Sequence, residues 1–547
     1  MATYTPNLNL KKPGSDDFVD IADINGNMDA VDGHAGGLVS TAAHHGLRVT
    51  DGKLEFYDGT EWQKVRGDGY PVGNVTSFTA SAGDGKITLK WNDPDNVTIT
   101  DSNGTVITIA TWAGTRILRK TGGYPANEND GTLVINNGVQ DQYASTGYQD
   151  TGLTNGTAYY YAAFPYTTDD VFTVNTANRA TATPQAYATY GVSIDYTNSN
   201  PLTAVTYTDD AIGMTKGSSA WDAKAIFKDI KPCLLKNGAV QYYLNPNDFT
   251  KKADGTAADI TTGNDGDVMI EIPKIGYKIA TSGNTLTVQI TENTANSNYK
   301  YYAHTRDSEG DKSKLYVGAY MGYSDGSKLR SLSGKTPTAT QTAAQFRTLA
   351  QANGTGYDKV SFYPLMLLQC LYLIKYGNLD SQTALGRGYV DGNSAVIATG
   401  GTNAKGMYFG ETTGKLQMKF AGIEDFWGNL YQMFDGLFSD ASRNIMTAFK
   451  NFNDTGSGYM NRGQGATADI GGYMSKVQGS SESGFIVKEA SGSATTFCSD
   501  YGNLYAGYLP YFGGRWNDGA DAGAFLLYVY LSASDSAASC GARLMYL

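Results

Sequence analysis

Cysteine, histidine, charge and long apolar runs are all scarce in this 547-residue chain, and each shortage removes a class of function. The four cysteines, Cys233, Cys370, Cys498 and Cys540, lie far apart with no CxxC pair, so their spacing supports neither a zinc site nor a disulfide framework. They read as reduced thiols from a cytosolic assembly site. Lys+Arg number 42 against Asp+Glu 53, a net charge of -11, and no basic run follows a phosphate backbone. Nucleic acid is excluded as a partner. The longest apolar-rich segment, Phe362 to Ile374, falls short of the roughly 20 residues a membrane span needs, which argues against membrane insertion. The opening MATYTPNLNLKKPGSDD has no apolar core of signal-peptide length, so export by a recognisable signal is not expected.

What the chain has instead is glycine (66) and tyrosine (39), a mixture that favours strands, tight turns and amphipathic contact surfaces over helical bundles. Its length suits roughly three or four domains at about 150 residues each. The expected class is multidomain and mostly β. Residues 1–45 place Ile21, Ile24, Met28 and Val31 at steps of three and four, which suits a short oligomerising helix or a single amphipathic turn equally well. Residues 46–69 include Leu54 to Trp62, which alternates around Asp58-Gly59 as a small hairpin does, and His44-His45 just ahead reads as a linker pair.

Residues 70–185 show short alternating strands between turn signals, as in KITLKW, TRILRK and TAYYYAAF, the pattern of a β-sandwich. Trp91 on an early strand, with Leu153 and Tyr159 placed as in a tyrosine corner, resembles a fibronectin type III domain. That resemblance implies a rigid spacer. Residues 186–547 contain no comparable linker and read as one large unit with a β-rich entry around GDVMIEIPKIGYKI. Within it Thr340 to Asn353 has helix-favouring composition ending at Gly354, and Phe362 to Tyr376 is apolar nearly all round and ends at Gly377. The stripe Leu365, Leu368 and Tyr372 is expected to be core.

Two segments carry the family likeness: GIEDFWGNLYQMFDG at 422–436, and GGRWNDGADAGAFLLYVYLSASDSAASCGARLMYL at 513–547. The first resembles the GxxxxxGNxxE/Q segment of the formylglycine-generating-enzyme-like branch of the C-type lectin fold. The second, with its GGRW and GARL brackets, resembles the variable proteins of diversity-generating retroelements. The opening residues resemble N-terminal segments of phage tail proteins. Taken together these imply an N-terminal attachment segment, a fibronectin-like sandwich and a C-terminal α+β C-type-lectin fold whose variable region is 513–547.

Strand alternation over Phe525 to Leu531 puts Phe525, Leu527 and Val529 inward and Leu526, Tyr528 and Tyr530 on the opposite face. Tyrosines there supply stiff amphipathic contact area, as in antibody paratopes. The resemblance implies that the ligand-binding, variable positions are Arg515, Asn517, Asp518, Ala520, Asp521, Leu526, Tyr528, Tyr530, Leu531 and Asp535. It assigns scaffold roles to Gly513, Gly514, Gly519, Gly523 and Gly541, to Trp516 as core, and to Arg543 as an internal hydrogen-bond donor.

No metal and no cofactor are expected. Trp516-Asn517-Asp518 spells the triplet that gives calcium-dependent lectins some of their oxygen ligands, but the EPN or QPD partner triplet is missing upstream. The copper-binding cysteine of formylglycine-generating enzymes falls at Leu544, and the four histidines (His34, His44, His45, His304) form no cluster of the kind iron-dependent relatives use. Glu424 and Asp425 are the nearest candidates for a glycosidase pair, yet lie in the scaffold segment, where anchoring loops is the commoner role. The chain is therefore expected not to be an enzyme but a phage tail-tip receptor-binding protein. Its partners would be a bacterial surface receptor and other tail or baseplate proteins, in a homotrimer made in the host cytoplasm and carried on the virion. The alternatives are a bacterial surface adhesin of the same family and a tail-spike glycan hydrolase.

Overall fold

The computed structural model describes residues 69–100 and 106–547, with the backbone of five short strands nearer the N-terminus. The protein is multidomain and mostly β, and its chain divides into two compact units, Met1–Ala186 and Tyr187–Leu547. The proposed oligomerising residues Ile21 to Val31 lie outside the described residues, as do His34, His44 and His45. Strands Lys53–Tyr57 and Trp62–Lys64, on either side of the expected turn, pair antiparallel; residues 58–61 lie outside the described residues. Tyr57 pairs with Trp62, and Leu47–Thr50 adds a third antiparallel strand.

In the first unit the period-2 pattern yields two antiparallel sheets. One contains Thr76–Gly83, Lys86–Asn92 and Tyr148–Thr151; the other contains Trp112–Thr121, Thr132–Asn137, Tyr159–Thr167 and Arg179–Ala182. Ile87, Leu89 and Trp91 alternate along one strand and are all buried, packed with Ile117, Leu153 and Tyr161. The Tyr159 hydroxyl accepts a hydrogen bond from the Thr154 amide (3.1 Å), tying the strand to the turn before it as a tyrosine corner does.

The second unit is organised by a seven-stranded sheet in the order Asp248–Lys252, Ala239–Asn245, Lys231–Lys236, Asp267–Pro273, Lys314–Gly318, Leu544–Tyr546, Tyr357–Lys359. The last strand of the chain is thus inserted between two strands laid down about 200 residues earlier, which pins one end of the 513–547 segment into the core. Helix α1 (Ala343–Gln351) starts where Thr342 and Gln345 form a reciprocal capping box, so it is shorter at its N-terminus than composition alone suggests. Helix α2 (Phe362–Tyr376) has all fifteen residues buried and stops at Gly377, whose φ of 53° suits a left-handed cap. Leu365, Leu368 and Tyr372 are core, as expected. Among the described residues no helix is long and apolar enough to cross a membrane.

Candidate binding face

A six-stranded sheet carries the 513–547 segment. Its strands are β1 (Tyr431–Met433), β2 (Ile470–Tyr473), β3 (Tyr501–Leu504), β4 (Leu509–Phe512), β5 (Leu527–Leu531) and β6 (Cys540–Ala542), in the spatial order β2-β3-β5-β4-β1-β6. Strand β5 is central, parallel to β3 and antiparallel to β4, with Tyr528 opposite Asn503 on one side and Tyr511 on the other. Leu527 and Val529 point into the main core with Leu504, Phe512 and Phe525. Tyr528 points the other way.

On that side tyrosines from five strands touch in a chain, three contacts edge to face and the last tilted. Tyr473 on β2 meets Tyr501 on β3 (centroids 5.5 Å apart), Tyr501 meets Tyr528 (5.6 Å), Tyr528 meets Tyr511 (5.3 Å), and Tyr511 meets Tyr431 on β1 (4.6 Å). Such pairs each add about 0.5–1.5 kcal/mol beyond area burial and hold the rings stiff. A second cluster lies further along β5, where Tyr530 packs against Tyr505 (5.0 Å) and Tyr508 (5.3 Å). A bulge separates the two clusters. Pro510 pairs with Val529 and Leu509 with Leu531, so Tyr530 has no partner and is pushed outward, 48% exposed.

The turn from Gly513 to Asp521 rims this face. Arg515 stacks over the Tyr431 ring at 5.5 Å and donates its Nε to Asp518 Oδ1 (3.0 Å), while Asp518 Oδ2 accepts the Arg515 amide (3.1 Å). Asp521 Oδ1 accepts the Tyr473 hydroxyl. Burial, followed by the negative charges of Asp521 and Asp518, pushes the Tyr528 hydroxyl well above its ordinary pKa. Burial and the Asp521 hydrogen bond raise Tyr473 to about 12. These phenols are protonated donors at neutral pH.

Eight of the ten predicted site residues are at least partly accessible. Arg515, Asp518, Asp521 and Tyr528 meet in the larger cluster, Tyr530 sits in the smaller one, and Asn517 and Ala520 lie on the turn. Asp535 is exposed on a separate serine-rich loop, where it caps the Ser532 amide (2.8 Å). Leu526 and Leu531 were expected on the face but are buried, at 0% and 4% exposure, in a second core with Met433, Leu509 and Cys540. Alternation placed Leu526 on the face, and the resemblance placed Leu531 there. Both are buried because the outer side of the sheet is itself covered toward its β1 and β6 end, and the bulge at Tyr530 turns Leu531 into that same second core. Trp516, expected in the core, is only half-buried; its backbone amide donates to Asn429 (3.2 Å), and the turn is held through main-chain atoms.

The scaffold around the segment is dense with hydrogen bonds. The buried Arg543 guanidinium donates to Gln432 Oε1 (2.9 Å) and to the carbonyls of Gly318 (2.9 Å), Glu424 (2.7 Å) and Asp425 (3.1 Å). It thereby joins the 422–436 segment to the C-terminal bracket. Gly514, at φ 87°, lies so close to Ala522 that a Cβ would come within 2.5 Å of it.

Glu424 Oε2 accepts the Thr402 amide (2.8 Å) and hydroxyl (2.6 Å), and Oε1 accepts the Gly400 amide (2.7 Å), so this carboxylate anchors a loop. Cys498 and Cys540 belong to different cores, and burial lifts their thiols to about 12 and about 11. Among the described residues no group of three or more His, Cys, Asp or Glu side chains is placed to hold a metal ion.

Sequence reading missed Tyr431, Tyr473, Tyr501, Asn503, Tyr505, Tyr508 and Tyr511. The available signal was the Tyr501-x-Asn503-x-Tyr505 alternation and the high tyrosine count, but what brings these residues together is strand order.

No protein-family model matches this chain, and no curated protein matches it. Solved structures similar to it include the P3c, U1 and M1 variants of a Major Tropism Determinant. Each is 14% identical, with 94% of this chain and 96% of the other covered and a TM-score of 0.20. A superposition of that quality sets neither fold nor function.

Proposed function

We infer that this chain is a receptor-binding protein of a phage tail, which recognises a bacterial surface ligand through the tyrosine face around β5. The observation that carries this reading is the convergence of tyrosines from five strands onto one side of the sheet, four of them partly accessible, rimmed by a turn whose main chain is tied to Asn429 and to the Asp518 carboxylate. Stiff aromatic side chains give contact area at low entropic cost, which suits binding without chemistry.

The resemblance of 513–547 to retroelement-diversified proteins with a C-type-lectin fold supports the same reading. Arg515, Asn517, Asp518, Ala520, Asp521, Tyr528, Tyr530 and Asp535 are then the positions free to vary. The first unit, in its likeness to a fibronectin type III domain, acts as a spacer. The N-terminal segment attaches to other tail proteins, and a homotrimer multiplies weak contacts by avidity. The protein is a virion component at the tail tip and acts by equilibrium binding, not as an enzyme.

The test is adsorption of virions carrying Tyr528→Ser and Tyr530→Ser together. Adsorption is expected to fall at least about tenfold with the fold intact by circular dichroism, and unchanged adsorption would sink the assignment. Release of reducing sugar from host envelope, abolished by one carboxylate substitution, would instead establish a hydrolase.

A further inference from the structure

The larger aromatic cluster has an electrostatic imbalance. Asp518 is neutralised by Arg515, which contacts it through both a side-chain and a backbone nitrogen. Asp521 has no such cation: one oxygen accepts the Tyr473 hydroxyl, and the other is left without a partner. Its charge is felt at Tyr528, where Asp521 is the largest Coulombic contribution to the raised pKa. A second unmet demand lies in the same place. Asn503, on β3 opposite Tyr528, is 8% exposed, and its carboxamide oxygen is sealed from solvent with no donor. It follows Tyr501 by two residues and so emerges on the tyrosine side of the sheet. The Asp521 carboxylate thus stands without a cation beside the rings of Tyr473, Tyr501 and Tyr528.

Resting on the receptor-binding reading, we propose that this end of the face seats a cationic side chain, an arginine or lysine presented by a polypeptide receptor. Three properties fit that occupant. Tyrosine ring faces attract cations, and Arg515 over Tyr431 shows the same contact made within the chain. A guanidinium brings several N–H donors in a fixed fork that matches the Asp521 carboxylate. The positive charge offsets the one carboxylate of the rim that lacks a cation. A neutral sugar ring would stack on the tyrosines but leave Asp521 uncompensated. Tyr473, Tyr501 and Asn503 all lie outside 513–547, so the seat is built mainly from positions that the bracketed segment does not contain.

The test is ligand-observed saturation-transfer NMR on the full chain with four probes: N-acetyl-arginine methylamide, its uncharged citrulline analogue, glucosamine and N-acetylglucosamine. The arginine probe is expected to bind, to weaken with added salt, and to bind about tenfold less tightly to Asp521→Asn. Tyr501→Leu is expected to weaken it as well, and Ile212→Ser, at an exposed position outside this sheet, is expected to leave it unchanged. Equal binding of the citrulline analogue, insensitivity to Asp521→Asn, or preference for either sugar would overturn the proposal. The two readings separate cleanly. Loss of virion adsorption in the Tyr528, Tyr530 double variant, with no arginine binding by the parent, keeps the recognition face and removes the cation seat. Arginine binding with unchanged adsorption keeps the seat and removes the proposed function.

Discussion

Arg543 donates its Nε to Gln432 Oε1 at 2.9 Å, and through that bond and two others the last bracket of the chain is fastened to a segment more than 100 residues earlier, while a fourth bond reaches the Gly318 carbonyl. Gln432 in turn donates to the Asp425 and Phe426 carbonyls (3.0 and 3.1 Å), so two side chains satisfy four backbone oxygens in a buried site.

That arrangement makes Arg543 a structural keystone with a measurable signature. Arg543→Ala strands several buried acceptors and is expected to destabilise the second unit by about 3–5 kcal/mol in urea unfolding. Arg543→Lys should recover little, because a single ammonium cannot reach groups spread over the planar guanidinium fork. Recovery of most of the stability by lysine would refute the geometric account.

The two buried leucines give a sharper contrast. Leu526→Ala is expected to cost about 2–5 kcal/mol because it opens a cavity in the second core. Tyr530→Ala, at a half-exposed bulge position, should cost under about 1 kcal/mol in stability while lowering adsorption. Differential scanning calorimetry of the two variants checks the assignment of sides; equal destabilisation would show that the bulge does not turn Tyr530 outward.

Acid should unfold the second unit partly through His304. Burial, followed by the charge of Lys274, pushes this imidazole down to about 3, although Asp311 pulls the other way. Its Nε2 accepts the Ile275 amide (3.3 Å), which leaves the proton on the unpartnered Nδ1. The unfolded chain binds a proton near pH 6.5 and the folded chain near 3, so the folded state loses stability as pH falls between those values. The loss amounts to a few kcal/mol, because each tenfold difference in proton affinity between the two states is worth about 1.4 kcal/mol. Urea unfolding at about pH 7 and about pH 4.5 should show a smaller difference for His304→Gln than for the parent. An unchanged difference would assign the acid sensitivity elsewhere.

The β-rich architecture, both helices and the buried α2 stripe were legible because each rests on local pattern, whereas the Arg543 donor role came from the family resemblance. A helix-favouring composition or an apolar run ending at glycine, and a period-2 strand, all constrain structure within a few residues. Leu526 and Leu531 were misread because burial of a strand's second face depends on what packs over it, and Trp516 because it sits on a turn held by backbone hydrogen bonds, its ring only half-buried. The larger half of the binding face was invisible for a related reason. Tyr431, Tyr473 and Tyr501 are up to about 100 residues from Tyr528 in sequence and become neighbours only through the order β2-β3-β5-β4-β1.

If the rim is a locked backbone carrying free side chains, tolerance along it should alternate sharply. Asn517 is exposed, Ala520 lies on a short 3-10 turn with its side chain partly accessible, and Asp535 is on a separate loop. Asn517→Tyr and Ala520→Ser are expected to shift unfolding free energy by no more than about 0.5 kcal/mol. Asp535→Asn keeps an oxygen that can accept the Ser532 amide, so it belongs to the same tolerant group. Gly514→Ala places a Cβ within 2.5 Å of Ala522 at a left-handed φ, and Gly523→Ala drives one into the Asp500 carboxylate, whose Oδ2 also accepts the Phe525 amide (2.7 Å). Both glycine variants should lose more than about 1 kcal/mol, because neither neighbour is the free end of a flexible side chain. A thermal-shift panel of the five variants checks the alternation. Equal tolerance at Gly514 and Asn517 would mean that the turn is not held rigid, and the division between fixed bracket and changeable face would fall with it.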